Sequence, residues 1–249
     1  MSLSDLEAAG FDIRTLNHAR AVLATDFPEP LAELCEVLMA TRITDMELIR
    51  GGGGEAAPTQ RLRRALTERG WVKRKIVISK TVDGVERSGI SHEIDHVRRA
   101  AAGAIALEIE WNNKDPFFDR DLENFQRLHS EGVVSVGTIV TRGQSLNESL
   151  HDILLTFAKA HDLTGFDDLA RFGVEPTKRQ RGLVGKAGPD FPASWARAFV
   201  RDKFGSATTH WAKLQERIER GVGNPCPLLL IGLPGASVQQ TTVRAGERD

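Results

Sequence analysis

The chain has 249 residues, 41% of them apolar and 27% charged, and a formal net charge of −1. These values suit a soluble globular protein with a sizeable core, in one large domain or two small ones. They argue against a histone-like binder of polyanions while leaving room for a local basic face. Cys35 and Cys226, the two cysteines, lie far apart in sequence. Such usage suits a reducing compartment and offers neither a disulfide framework nor zinc-site spacing. The N-terminus "MSLSDLEAAGFD" has no apolar signal core, and "CPLLLIGLP" is too short to span a bilayer. A cytoplasmic protein without a membrane is expected.

Taken in chain order, the first seventy residues read as helical. Asp5–Ala24 and Pro30–Thr41 carry apolar residues at helical spacing, with "FPEP" between them. "RGGGGEAAPTQ" (50–60) reads as a flexible loop. A helix follows, with Leu62, Ala65 and Leu66 on its buried stripe and Gly70 as its stop. Arg61, Arg63, Arg64 and Arg69 decorate that helix, and four such arginines also fit a plain solvated face.

From residue 72 the period changes to that of strands. "KIVISK" (75–80), "HEIDHV" (92–97) and "AIALEIEW" (104–111) predict three strands joined by turns at "VDG" and "AAAG". After Pro116 a helix is expected through Leu122, Phe125 and Leu128, then a doubly buried strand, "VVSVGTIV" (133–140). Ser145 and Glu148 form a capping-box pattern opening an amphipathic helix with Leu146, Leu150, Ile153, Leu154 and Phe157 on one face. The stretch 163–205, with "VEPTKRQRGLVGKAGPDFP", reads as surface loops. "SATTHWAKLQERIERG" returns to helical spacing, "CPLLLIGLP" predicts a buried strand, and the tail after Gly235 has little to pack. The fold class is α/β, a mixed β-sheet flanked by helices. It is read as one domain over 1–249, with a mainly helical part (1–71), a core (72–160) and a loop, helix and strand part (161–249).

The chemistry concentrates on "ALEIEWNNKD" (106–115). Side chains alternate along a strand, so Glu108, Glu110 and Asn112 share one face and Leu107, Ile109 and Trp111 the other. If this strand pairs as a hairpin with the one before it, which carries Asp95, that residue can approach both glutamates. Three carboxylates that close repel one another and resist ionising without a cation among them. An all-oxygen cluster suits Mg²⁺, which can activate water and stabilise charge growing on phosphorus. Phosphodiester hydrolysis fits best, although alternating acids also occur on solvated sheet surfaces. His92, His96 and His129 do not have the spacing of a zinc site.

"HEIDHV", "LEIEWNNKDPFFDRDLENFQRLH" and "VGTIVTRG", in that order, resemble the BglII/BstYI group of type II restriction endonucleases, of the PD-(D/E)XK nuclease superfamily. The likeness is densest over 90–143 and extends more loosely over most of the chain; 1–45 and 163–200 carry little of it. It implies the superfamily core of helix, three strands, helix and strand. It also implies that Asp95 is the first metal-binding acid and Glu108 the second. Glu110 stands where much of the superfamily has lysine and where BglII-like enzymes accept glutamine or, in BamHI, glutamate. An ionised glutamate only accepts hydrogen bonds, so Glu110 would hold or deprotonate water where a lysine would donate. The longer spacing from Asp95 to Glu108 than in BglII leaves Glu93 as a competitor for the first acid. Glu55 is either an additional acid near the metal or a loop glutamate in water.

For DNA the resemblance implies phosphate contacts from Arg61, Arg63 and Arg64, and approach by Asn112 and Asn113. Lys114 and Arg120 would lie near the scissile phosphate, with Asp115 and Asp119 as competing ion-pair partners. Lys178, Arg179 and Arg181 would form a basic loop. Ser206, Thr208 and Thr209 would contact DNA or cap a helix. The implied protein is a Mg²⁺-dependent homodimer that cuts double-stranded DNA at a short palindrome, paired in function with a DNA methyltransferase. Two alternatives keep the fold: a DNA-binding module without catalysis, and a repair or structure-specific nuclease.

Overall fold

Three apolar runs make the middle of a six-stranded sheet in this computed structural model, which describes residues 1–50, 55–185 and 190–240. The N-terminal part is α1 (Leu3–Ala8), β1 (Asp12–Leu16), α2 (Ala19–Asp26), α3 (Pro28–Ala40), β2 (Ile43–Thr44), α4 (Asp45–Ile49) and α5 (Ala57–Thr67). The helix expected over Asp5–Ala24 is therefore interrupted. Gly10, at φ +89°, ends α1, and "DIRTL" pairs antiparallel with a strand more than two hundred residues away. Long-range pairing of that kind leaves no local signal.

The core follows as β3 (Val72–Val82), β4 (Val85–Ala100), β5 (Gly103–Glu110), α6 (Phe117–Ser130), β6 (Val136–Arg142) and α7 (Gln144–Ala160). This is the expected order, with β3 and β4 longer than predicted and turning at Asp83 and Gly84, both at positive φ. The Ser145–Glu148 box does not open α7. The helix begins at Gln144, whose N–H donates to Asp12 Oδ2 at 2.7 Å. A neighbouring strand supplies the cap, and Gly143 is small because a Cβ there would lie 2.5 Å from that oxygen.

The stretch 163–205 carries helices where loops were expected: a 3₁₀ turn over Phe166–Phe172, then α8 (Lys178–Val184) and α9 (Phe191–Lys203). Thr177 and Gln180 cap α8 reciprocally, Asp190 caps α9, and Trp195, Ala196 and Phe199 bury one face of α9. Glycine and proline frequency concealed these short capped helices. After α10 (Trp211–Glu219) comes β7 (Leu228–Leu233), and β8 (Val238–Gln239) pairs parallel with β2, so the tail packs further than expected.

The sheet order is β1-β7-β6-β5-β4-β3, with β5, β6 and β7 parallel and the remaining pairs antiparallel. Each face has its own core. Ile105, Leu107 and Ile109 belong to the core shared with α3, α5 and α7, and Ala104 and Ala106 to that shared with α6 and α10. On α6, Phe118, Leu122, Phe125 and Leu128 are fully buried, each worth about 1.5–3 kcal/mol on transfer from water. Gly137 lets α6 approach closely, since a Cβ there would meet the Phe125 ring at 2.5 Å. That approach brings the next two residues of interest, Arg120 and Asp121, onto the face of β5 that holds Glu108 and Glu110. Among the described residues no helix is long and apolar enough to cross a membrane.

Candidate active site

The position of Asp95, expected as the first acid, is set by an irregularity in the hairpin. Cα partners run from Val72↔Val97 to Arg74↔Ile94, so Asp95 and His96 together oppose the single residue Lys73. This is a β-bulge, which bends its strand and re-aims side chains. Pairing of β4 with β5 ends at His96↔Leu107, so Asp95 sits where the two strands part. Its N–H donates to Glu108 Oε1 at 3.4 Å. Its carboxylate is half-exposed, 3.8 Å from Lys73 Nζ, which lies 2.6 Å from Glu93. Glu93 is thus an exposed ion-pair partner on the hairpin.

Glu108 and Glu110 are buried at the end of β5. Burial, reinforced by the nearby charges of Asp121, Asp95 and Glu110, pushes the Glu108 carboxyl up to about 9. Burial and Asp121 push Glu110 up to about 8, against an Asn113 Nδ2 donor at 2.7 Å. Asp121 on α6, 1% exposed, is likewise raised by burial. Its Oδ1 accepts from Arg120 Nε at 2.8 Å, while its buried Oδ2 meets no donor and has Glu110 as its carboxyl neighbour. Asp121 was not foreseen from sequence. The signal was present, since it shares the helix face of Phe118, Leu122 and Phe125.

The donor set fits a divalent cation: the acids are all oxygen ligands, two are protonated well above the usual carboxylate range, and one buried oxygen has no donor. Among the described residues no three such side chains already stand in metal-binding arrangement. Lys73 occupies the Asp95 end of the cluster and Arg120 the Glu110 end.

The other site candidates divide clearly. β5 ends at Glu110, so strand alternation does not carry to Asn112. Its Nδ2 binds the Lys203 carbonyl at 3.0 Å, and Asn113 takes the place beside Glu110. Arg61 binds Glu47 and the Arg42 carbonyl, and Arg63 binds Glu55 at 3.1 Å. Glu55 and Arg63, with Asp95, Asn112 and Asn113, line a cleft of about 840 Å³. Arg64 is exposed on α5. Lys178, Arg179 and Arg181 lie on a helix rather than the expected loop. Arg179 is 3.6 Å from Asp202, and Arg181 lies over the Phe166 ring.

Lys114 makes a backbone bridge with Thr208, and Asn113 exchanges hydrogen bonds with Thr209. Neither threonine caps α10, whose N-cap is His210; Ser206 is exposed. Thr208 Oγ1 and the Thr209 carbonyl instead accept from Arg142 Nη2 at 2.7 and 2.9 Å. Arg142 is fully buried and also donates to the Trp111 carbonyl (3.0 Å) and Asn147 (3.1 Å). It ties the chain leaving the acidic strand to the 205–209 loop and to α7. Arg120 is bound to Asp121 and Glu110, while Asp115 and Asp119 pair with Arg217.

A mixed sheet flanked by helices, with carboxylates gathered at one strand end, defines a restriction-endonuclease-like fold. The family model described as restriction endonuclease BglII/BglIII matches residues 11–233, and the chain belongs to that family, whose members are DNA-cleaving hydrolases. No curated protein matches the chain significantly.

Proposed function

We propose that the protein is a type II restriction endonuclease that requires Mg²⁺ and hydrolyses both strands of a short palindromic DNA site. The observation that carries this reading is the convergence of Asp95, Glu108, Glu110 and Asp121 where β4 and β5 part. Asp95 and Glu108 would hold the metal, which supplies Lewis-acid stabilisation of charge on the scissile phosphate. Glu110, fixed by Asn113 and ionised once a cation offsets the neighbouring acids, accepts a proton from the attacking water. Arg63, Arg64 and Lys114 supply phosphate contacts that set the DNA in place without reading its bases. A homodimer places one such centre on each strand of a two-fold site. The enzyme acts in the cytoplasm, where a methyltransferase of the same specificity protects resident DNA.

The test is incubation of plasmid and unmodified genomic DNA with the protein and Mg²⁺. Discrete fragments with uniform ends are expected. Binding without cutting would leave a DNA-binding module, and preference for junctions or lesions would indicate a structure-specific nuclease. Glu108→Ala is expected to lower cleavage at least about a thousandfold while preserving DNA binding in Ca²⁺. Normal cutting by that variant would remove this site from the mechanism.

A further inference from the structure

Arg120 immediately precedes Asp121 on α6, and its Nε and Nη2 both lie 2.8 Å from Asp121 Oδ1. Nη2 also lies 3.5 Å from Glu110 Oε1. The guanidinium stacks over Phe117 at 4.3 Å and is 54% exposed, so it can swing away without opening the core. The acids beneath it cannot move so freely. Glu110 is locked by Asn113, and Asp121 is buried with the Glu110 carboxyl as its neighbour and no N–H donor on Oδ2. A half-exposed cation thus covers buried acids.

We propose that Arg120 is the internal counter-cation of this site, that Asp121 is a further acid of it, and that a divalent ion enters by displacing the guanidinium. The proposal rests on the reading of Asp95 and Glu108 as metal-binding acids with Glu110 beside them. A guanidinium stays charged at any working pH, so it must give up these carboxylates to an incoming ion by moving. Two cations cannot both take the same oxygens, and each bound ion is opposed by the ion pairs it breaks. Lys73 covers Asp95 more loosely, at 3.8 Å. This exchange accounts for acids that are gathered but not set as a ready metal site.

The distinguishing consequence is that removing Arg120 tightens metal binding, whereas loss of a merely structural arginine loosens it. The readout is the Ca²⁺ concentration that raises the melting temperature of the full chain without DNA, because a ligand of the native state stabilises it by mass action. Arg120→Gln is expected to need roughly tenfold less Ca²⁺ than the wild type, as one opposing charge is removed from a partly exposed pair. Asp121→Asn is expected to need more. Arg120→Met, which keeps apolar contact with Phe117, repeats the test if the glutamine variant fails to fold. An unchanged or increased Ca²⁺ requirement on losing Arg120 overturns the proposal, as does the absence of any Ca²⁺-dependent rise in both proteins. The nuclease reading is judged separately, by cleavage with Glu108→Ala.

Discussion

Two buried polar sites lie side by side at the ends of the adjacent strands β5 and β6, and they are built oppositely. Arg142 is a cation without a carboxylate partner among its hydrogen bonds. It is satisfied by the Trp111 and Thr209 carbonyls, Asn147 and Thr208, and stacks 5.0 Å from the Phe204 ring. Burial alone pulls it down to about 9, yet each of its three nitrogens has at least one acceptor. The acidic cluster is the reverse: carboxyls crowd one another, donors are few, and its two cations are half-exposed side chains. A buried charge surrounded by fixed neutral partners holds a structure together. Buried carboxyls crowded against one another, with raised values, are instead the pattern of a candidate functional site.

Metal-free stability is the sharpest way to break this contrast. Glu108 and Glu110 have folded-state values raised to about 9 and about 8. Between the ordinary carboxylate range and those values the native state holds protons that the unfolded chain has lost. Stability is therefore highest at acid pH within the folded range and falls as pH rises to about 9, by an amount on the order of several kcal/mol. Urea unfolding at pH 5.5, 7 and 9 without divalent ions measures it. Glu108→Gln is expected to flatten the fall, and a flat wild-type profile would refute the electrostatic description.

Arg142→Met should be next in size, costing about 3 kcal/mol as acceptors lose a charged donor, with the same penalty at each pH tested below 8. A pH-dependent penalty there would mean that the two sites are coupled rather than opposite in kind. Thr208→Val removes one acceptor and should cost about 1 kcal/mol, with no change in Ca²⁺ requirement. Its unfolding curve and Ca²⁺ titration together show whether the clamp and the acids are independent.

The strands β3 to β6 and the helices α6 and α7 were legible because each buries a continuous face, and apolar periodicity records that directly. Asp95, Glu108 and Glu110 were legible for the complementary reason: acids interrupt an apolar pattern at strand spacing. α8 and α9 were obscured by glycine and proline around them, although Thr177, Gln180 and Asp190 were cap residues in plain view. β1 left no local trace, since only β7 makes "DIRTL" a strand. The Ser145–Glu148 pattern misled because Asp12 already caps α7 from across the sheet.

By itself the sequence determined the order of the core, the apolar face of each element and the residue types at the site. Tertiary structure alone decided which charges meet. The bulge at Asp95 and His96 depends on pairing with β3, and Asp121 meets Glu110 because Gly137 admits α6 so closely. Arg142 finds acceptors from three separate segments. Periodicity reports a residue's relation to its own element, while electrostatics depends on distances between elements. Those distances exist only once the chain has packed.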